Sequence, residues 1–108
     1  MTGIGGCRSS NAITADTQIM IGQGKLVSIH GMVTGANDIA HIKLYDVASS
    51  GAKANSNLIG QLIVGMDPTF LINGMAESDM HGVLFKDGLY ADVTAVSGTS
   101  QVFTVEFN

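Results

Sequence analysis

Two stretches near the C-terminal end alternate between apolar and polar residues, and a period of two excludes a helix there. From Leu89, the residues Leu89, Ala91, Val93 and Ala95 share one face while Tyr90, Asp92 and Thr94 take the other. From Gln101, the residues Gln101, Phe103, Val105 and Phe107 share a face, with Thr104, Glu106 and Asn108 opposite. One apolar face and one that can be wet is the pattern of a half-buried antiparallel strand. Only Ser97-Gly98-Thr99-Ser100 separates the two. A connection that short predicts that they pair antiparallel with each other.

The rest of the chain extends the pattern. Residues 12–21 read as a first strand of irregular alternation, broken by Gly22-Gln23-Gly24. Residues 25–34 follow, with Val27, Ile29 and Val33 on the apolar face, Gly31 between them and His30 opposite. Gly35-Ala36-Asn37-Asp38 is a turn cluster. In residues 39–47, Ala40, Ile42 and Leu44 face one way and His41, Lys43 and Tyr45 the other; residues 48–57 are a small-residue surface loop. Residues 58–66 are apolar on both faces and read as a central strand buried on both sides.

Asp67-Pro68 opens a turn, residues 69–75 read as a short strand or bulge with Asn73-Gly74 as a tight turn, and residues 76–81 read as a polar loop. Lys86-Asp87-Gly88 is a bulge or turn that splits residues 83–85 from residues 89–96. Seven to eight short strands at roughly ten-residue spacing, with no helical period, predict an all-β fold. The expected architecture is an antiparallel β-sandwich, jelly-roll-like, over residues 11–108, preceded by a flexible N-terminal arm at residues 1–10.

Composition narrows the classes of function. A chain of 108 residues makes one domain that needs no covalent staples, and the single Cys7 rules out an intrachain disulfide framework. Only 13% of residues are charged, against an average of about 25%. So few solvating charges lead us to expect that part of the surface is covered in a homo-oligomer or larger assembly. The net charge is −4 and the five basic residues are scattered, so no stripe exists to neutralise phosphates and nucleic-acid binding is not expected. Neither a secretory leader pattern nor an apolar run approaching ~20 residues is present, so no membrane span is expected.

Chemistry-bearing residues are few. In an extended chain Glu77, Asp79 and His81 point the same way and would offer two carboxylates and an imidazole to a divalent ion. No further ligand is fixed by the sequence, so a solvated polar loop is the expected reading and no metal site is assigned. His30 and His41 would form a pH-sensitive or metal-binding pair if their strands were neighbours; ordinary half-exposed histidines are the plainer expectation. Cys7 has no basic or acidic neighbour to activate it. No Gly-x-Ser-x-Gly elbow and no phosphate-binding glycine spacing occurs. No catalytic residue, cofactor or enzymatic activity is expected. Tyr45 and Tyr90 are the candidate residues for stacking on a sugar.

The run Ile42-Lys43-Leu44-Tyr45-Asp46, followed by the small-residue loop, and the run from Val83 through Phe85-Lys86-Asp87-Gly88-Leu89-Tyr90 to Val93 carry a resemblance. They resemble a loose group of small tailed-bacteriophage virion proteins. In that group a Lys-Leu-Tyr-Asp-like strand precedes a Ser/Gly/Asn loop, and a Phe-x-x-Gly-Leu-Tyr strand is followed by a closing alternating strand. The likeness runs from near Lys25 to the C-terminus and rests on structural motifs: a turn glycine, a core leucine and an edge tyrosine.

The resemblance implies a non-enzymatic jelly-roll-like sandwich on the capsid surface of a virion, made in the host cytoplasm. It implies a decoration (cement) protein, a homotrimer bound to the major capsid protein or other virion proteins, with the arm reaching a neighbour. The alternative within the virion is a tail, collar or fibre-associated component. Outside it, the alternative is a glycan- or receptor-binding sandwich using Tyr45, Tyr90, Asn55, Asn57 and Asp87.

Overall fold

A computed structural model describes residues 7–66 and 74–108. Among these, eight strands are present: β1 (Arg8–Ser9), β2 (Thr17–Ile21), β3 (Gly24–Met32), β4 (Ile39–Tyr45), β5 (Leu58–Gly65), β6 (Met75–Phe85), β7 (Gly88–Ser97) and β8 (Val102–Phe107). They form two four-stranded antiparallel sheets, in the orders β1-β8-β3-β6 and β2-β7-β4-β5. First therefore pairs with last, β2 with β7, β3 with β6, and β4 with β5. This nest of antiparallel pairs, rolled across two sheets, is the jelly roll. The sandwich expected from the alternation is what the chain forms.

The core lies between the sheets. Leu26, Ile29, Val33, Phe85, Phe103, Val105 and Phe107 come from one side, and Ala40, Ile42, Leu44, Val64, Leu89 and Ala91 from the other. The inward faces of β4 and β8 are the ones that their alternation marks out. In β7 the buried face ends early: Leu89 and Ala91 are fully buried, Val93 is half-buried, and Ala95 is exposed, since β2 flanks β7 only from Gly88 to Ala91. Gly31 sits opposite Phe103, and a Cβ there would lie 2.7 Å from the phenyl ring.

Several local expectations are corrected. The stretches now named β7 and β8 do not pair; they belong to different sheets, and residues 98–101 cross from one to the other. A link of this length also spans the ~10 Å between packed sheets, and strand alternation is the same for a hairpin as for a crossing. The crossing from β6 to β7 at Lys86-Asp87 is held by Asp46. Its carboxylate accepts from the N–H groups of Lys86 (3.0 Å), Asp87 (2.8 Å) and Gly88 (3.3 Å). Burial opposes the Asp46 charge, but these N–H groups and the Lys86 ammonium outweigh it and hold the carboxyl below its usual range.

Residues 76–81 are not a loop but the middle of β6, paired with β3 from Gly31↔Ala76 to Ser28↔Asp79. Glu77, Asp79 and His81 simply occupy the wet face. β5 is not a central strand; it forms the edge of its sheet, and Ile63 is 65% exposed. In β3 a bulge at Val27 turns Leu26 into the core instead, and β6 answers with His81 and Gly82 at positive φ (53° and 77°). Of the strand read at residues 12–21 only Thr17–Ile21 is β2, itself irregular between Gln18 and Met20, with Ile13 making a single bridge to Phe103.

Within the stretch read as an arm, Arg8 and Ser9 pair with Phe107 and Glu106 as β1. Residues 1–6 lie outside the described residues. So do residues 67–73, which take in the turn at Asp67-Pro68 and most of the strand read at residues 69–75.

Candidate interaction face

The outer face of the β1-β8-β3-β6 sheet is the best-defined polar and apolar constellation, and strand register builds it. Met32 of β3 lies opposite Val102 of β8 and Met75 of β6; His30 lies opposite Thr104 and Glu77; Ser28 lies opposite Glu106 and Asp79. Side chains directly opposite in neighbouring strands share a face. The face is therefore an apolar row followed by two polar rows. Met32 is 41% and Met75 59% exposed, and the two rim a shallow depression of about 540 Å³ shared with His30, Glu77, Val102 and Thr104.

His30 organises the polar rows. Its Nδ1 is 3.2 Å from Glu77 Oε2 and its Nε2 is 3.1 Å from Glu106 Oε1, so each ring nitrogen lies within hydrogen-bond reach of a carboxylate. Ser28 Oγ donates to Glu106 Oε1 at 2.5 Å and lies 3.1 Å from His30 Nε2. These hydrogen bonds, from Ser28 first and His30 next, hold the Glu106 carboxyl below its usual range against a small opposing effect of burial.

Ser28, His30 and Glu77 are the residue types of an acyl-transfer triad, but the roles do not fit. The only Ser28 proton goes to Glu106, and β3 is paired on both sides, which commits its backbone N–H groups to the ladders. The arrangement fixes charge beside an apolar row. It does not present an activated nucleophile.

The residues singled out in the sequence are dispersed. Glu77, Asp79 and His81 do point to one side of β6, but Glu77 turns to His30 while Asp79 accepts the His81 backbone N–H at 2.9 Å. Among the described residues, no group of three or more His, Cys, Asp or Glu side chains is arranged to hold a metal ion. His30 and His41 cannot pair: they sit in opposite sheets. Cys7 is exposed.

Tyr45 and Tyr90 are neighbours, yet only 6% and 7% exposed, packed with Val47 and Leu58. Lys53 lies across both rings, its Nζ 5.9 and 5.5 Å from the ring centroids and 2.8 Å from Asp92 Oδ2. Neither ring presents an open stacking face. Burial, with Asp16 next, raises the Tyr90 hydroxyl above its usual value. Asn55 and Asn57 bound a short 3-10 turn in the same loop, and Asp87 is exposed on the β6–β7 crossing.

Reading the sequence missed Glu106 as the partner of His30 and missed the Val102–Met32–Met75 row. The available signal was that Met32 and Val102 are apolar residues at positions facing water. No family model, no curated protein and no solved structure matches the chain.

Proposed function

We propose that the protein is a structural component of a tailed-phage virion, a decoration (cement) protein that binds the capsid surface through many weak contacts. The observation that carries this reading is the outer face of the β1-β8-β3-β6 sheet. An apolar row beside charges already locked by internal hydrogen bonds is the chemistry of a protein–protein contact. The fold adds support by analogy, since jelly rolls recur in viral capsid and lectin domains. A chain with only 13% charged residues suits a protein that spends its life against other protein surfaces. Repetition of the patch over many copies supplies avidity without a large interface. The expectation of a trimer rests on the resemblance alone.

The test is co-sedimentation of the purified protein with phage capsids and, separately, with phage tails, comparing the native chain with Met32→Asp. High-copy binding that the substitution weakens supports the reading. Low-copy binding confined to tails favours the tail, collar or fibre alternative, and a chain that ignores both removes the virion reading. A glycan-binding role requires Lys53 to leave the tyrosines, so a carbohydrate array is expected to return no hits.

A further inference from the structure

We infer that two copies of this chain join edge to edge through β5, extending their β2-β7-β4-β5 sheets into one continuous sheet about a two-fold axis. This inference is independent of the virion reading. Among the described residues β5 is the outermost strand of its sheet, and Leu58–Gly65 carries no charged residue and no proline. Proteins normally blunt such an edge with charge, proline or a bulge, because its unpaired N–H and C=O groups are a template for another strand. Here the one irregularity lies at the start, where the register shifts between Leu44 and Tyr45, so residues 60–65 run regularly.

Charge selects this edge over the other long one. β6 turns Glu77 and Asp79 outward and bulges at His81-Gly82, so a second copy there would bring carboxylates of a chain with net charge −4 together. At β5 the outward residues are Gln61 and Ile63, and the neighbouring β4 places His41 opposite Ile63 and Lys43 opposite Gln61. The one carboxylate in those rows, Asp92, stands on β7 beyond Lys43, two strands in from the edge, and is already paired with Lys53 at 2.8 Å. β1 and β2, the remaining edges, are two and five residues long.

The strand is also complementary to itself. With a two-fold axis perpendicular to the sheet, opposed residues share a face. A register centred on Ile63 sets each Ile63 against its copy on the outer side, covering a side chain that is 65% exposed in the single chain. The same register places Leu62 opposite Val64 of the second copy, twice, on the inner side. Both cores then continue across the seam.

The experiment is sedimentation of the full chain beside Ile63→Lys, with circular dichroism to show that both fold. The expected result is a native dimer that Ile63→Lys weakens at least about tenfold, because two ammonium groups would meet at the axis. A native monomer, a native trimer, or a dimer indifferent to Ile63→Lys overturns the inference. In a Cys7→Ser background, Ile63→Cys is expected to form an interchain disulfide on mild oxidation, since directly opposed Cβ atoms lie ~4.5–5.5 Å apart. Leu84→Cys, equally exposed on the other sheet, is the control. Cross-linking of the control as fast as Ile63→Cys overturns the edge-to-edge geometry. Capsid binding by a chain that stays monomeric would overturn this inference alone and leave the virion reading standing.

Discussion

Glu106 is ionised in surroundings that favour its charge, with the Ser28 hydroxyl donating to it first and the His30 imidazole second. Its carboxyl therefore holds a proton less tightly in the folded chain than in the unfolded one. The resulting stability is fully present above the ordinary glutamate value of about 4.3 and is lost as pH falls through the depressed folded value. Glu106→Gln removes that contribution. The side chain is 45% exposed, so the loss is about 1 kcal/mol after allowing for solvent screening. Thermal melts are expected to show a gap between the two chains that is steady from about pH 6 to pH 4.5 and narrows below. A gap independent of pH would mean that shape, not charge, holds this row.

Gly31 makes a different demand at the same scale. A methyl group there would sit 2.7 Å from the Phe103 ring, which is fully buried and has nowhere to go. Gly31→Ala is expected to cost about 1–3 kcal/mol, read as a lowered melting temperature with the cooperative transition kept. An unchanged melt would show that the ring has room.

At the scale of elements, what the sequence made legible and what it hid follow from one limit: alternation reports faces, not partners. β4 and β8 were readable because their apolar residues recur at every second position against a single core. The β7–β8 connection was misread because a short link serves a hairpin and a sheet crossing equally. Residues 76–81 were misread because Glu77 and Asp79 dominate the composition, while the inward Ala76, Ser78 and Met80 are small or flexible. β5 reads as central because Ile59 and Ile63 make it apolar on both faces, and composition does not separate an edge strand from one paired on both sides. His30 was visible in the candidate face, but Glu106 lies so far along the chain that only the β3–β8 register joins them.

β1 was hidden too, since two residues carry no period. Yet Ser10 donates its N–H to the Val105 carbonyl at 2.8 Å and accepts the Val105 N–H on its hydroxyl at 2.9 Å, while the Arg8 guanidinium covers the Phe107 ring at 5.1 Å. Ser10→Pro removes the donor and the hydroxyl together. The expected cost is about 1–3 kcal/mol, with a rise in aggregation as the β8 edge opens, both measurable by melting and light scattering. An unaltered melt would mean that β1 is an ornament on a sheet complete without it.

For the whole molecule, the nesting of pairs sets an order of assembly. β4 and β5 are joined by residues 46–57, whereas β1 meets β8 from opposite ends of the chain, at Arg8↔Phe107. Closing the outer pair directly spans a loop about eight times longer and costs roughly 2 kcal/mol more in chain entropy. Once β4–β5 has formed, each further pair closes only the short segments that flank the one inside it. Folding is therefore expected to zip outward from β4–β5, on the millisecond-to-second scale of proteins dominated by distant pairings.

Two buried valines separate the ends of that sequence: Val64 in β5 and Val105 in β8. Val64→Ala is expected to slow folding, with a φ-value above about 0.5, and Val105→Ala chiefly to speed unfolding, with a φ-value below about 0.3. Chevron plots collected in the Ile63→Lys chain keep self-association out of the kinetics. If Val105→Ala slows folding as much as Val64→Ala does, the two ends of the chain meet before the rate-limiting step, and the roll closes from the outside in.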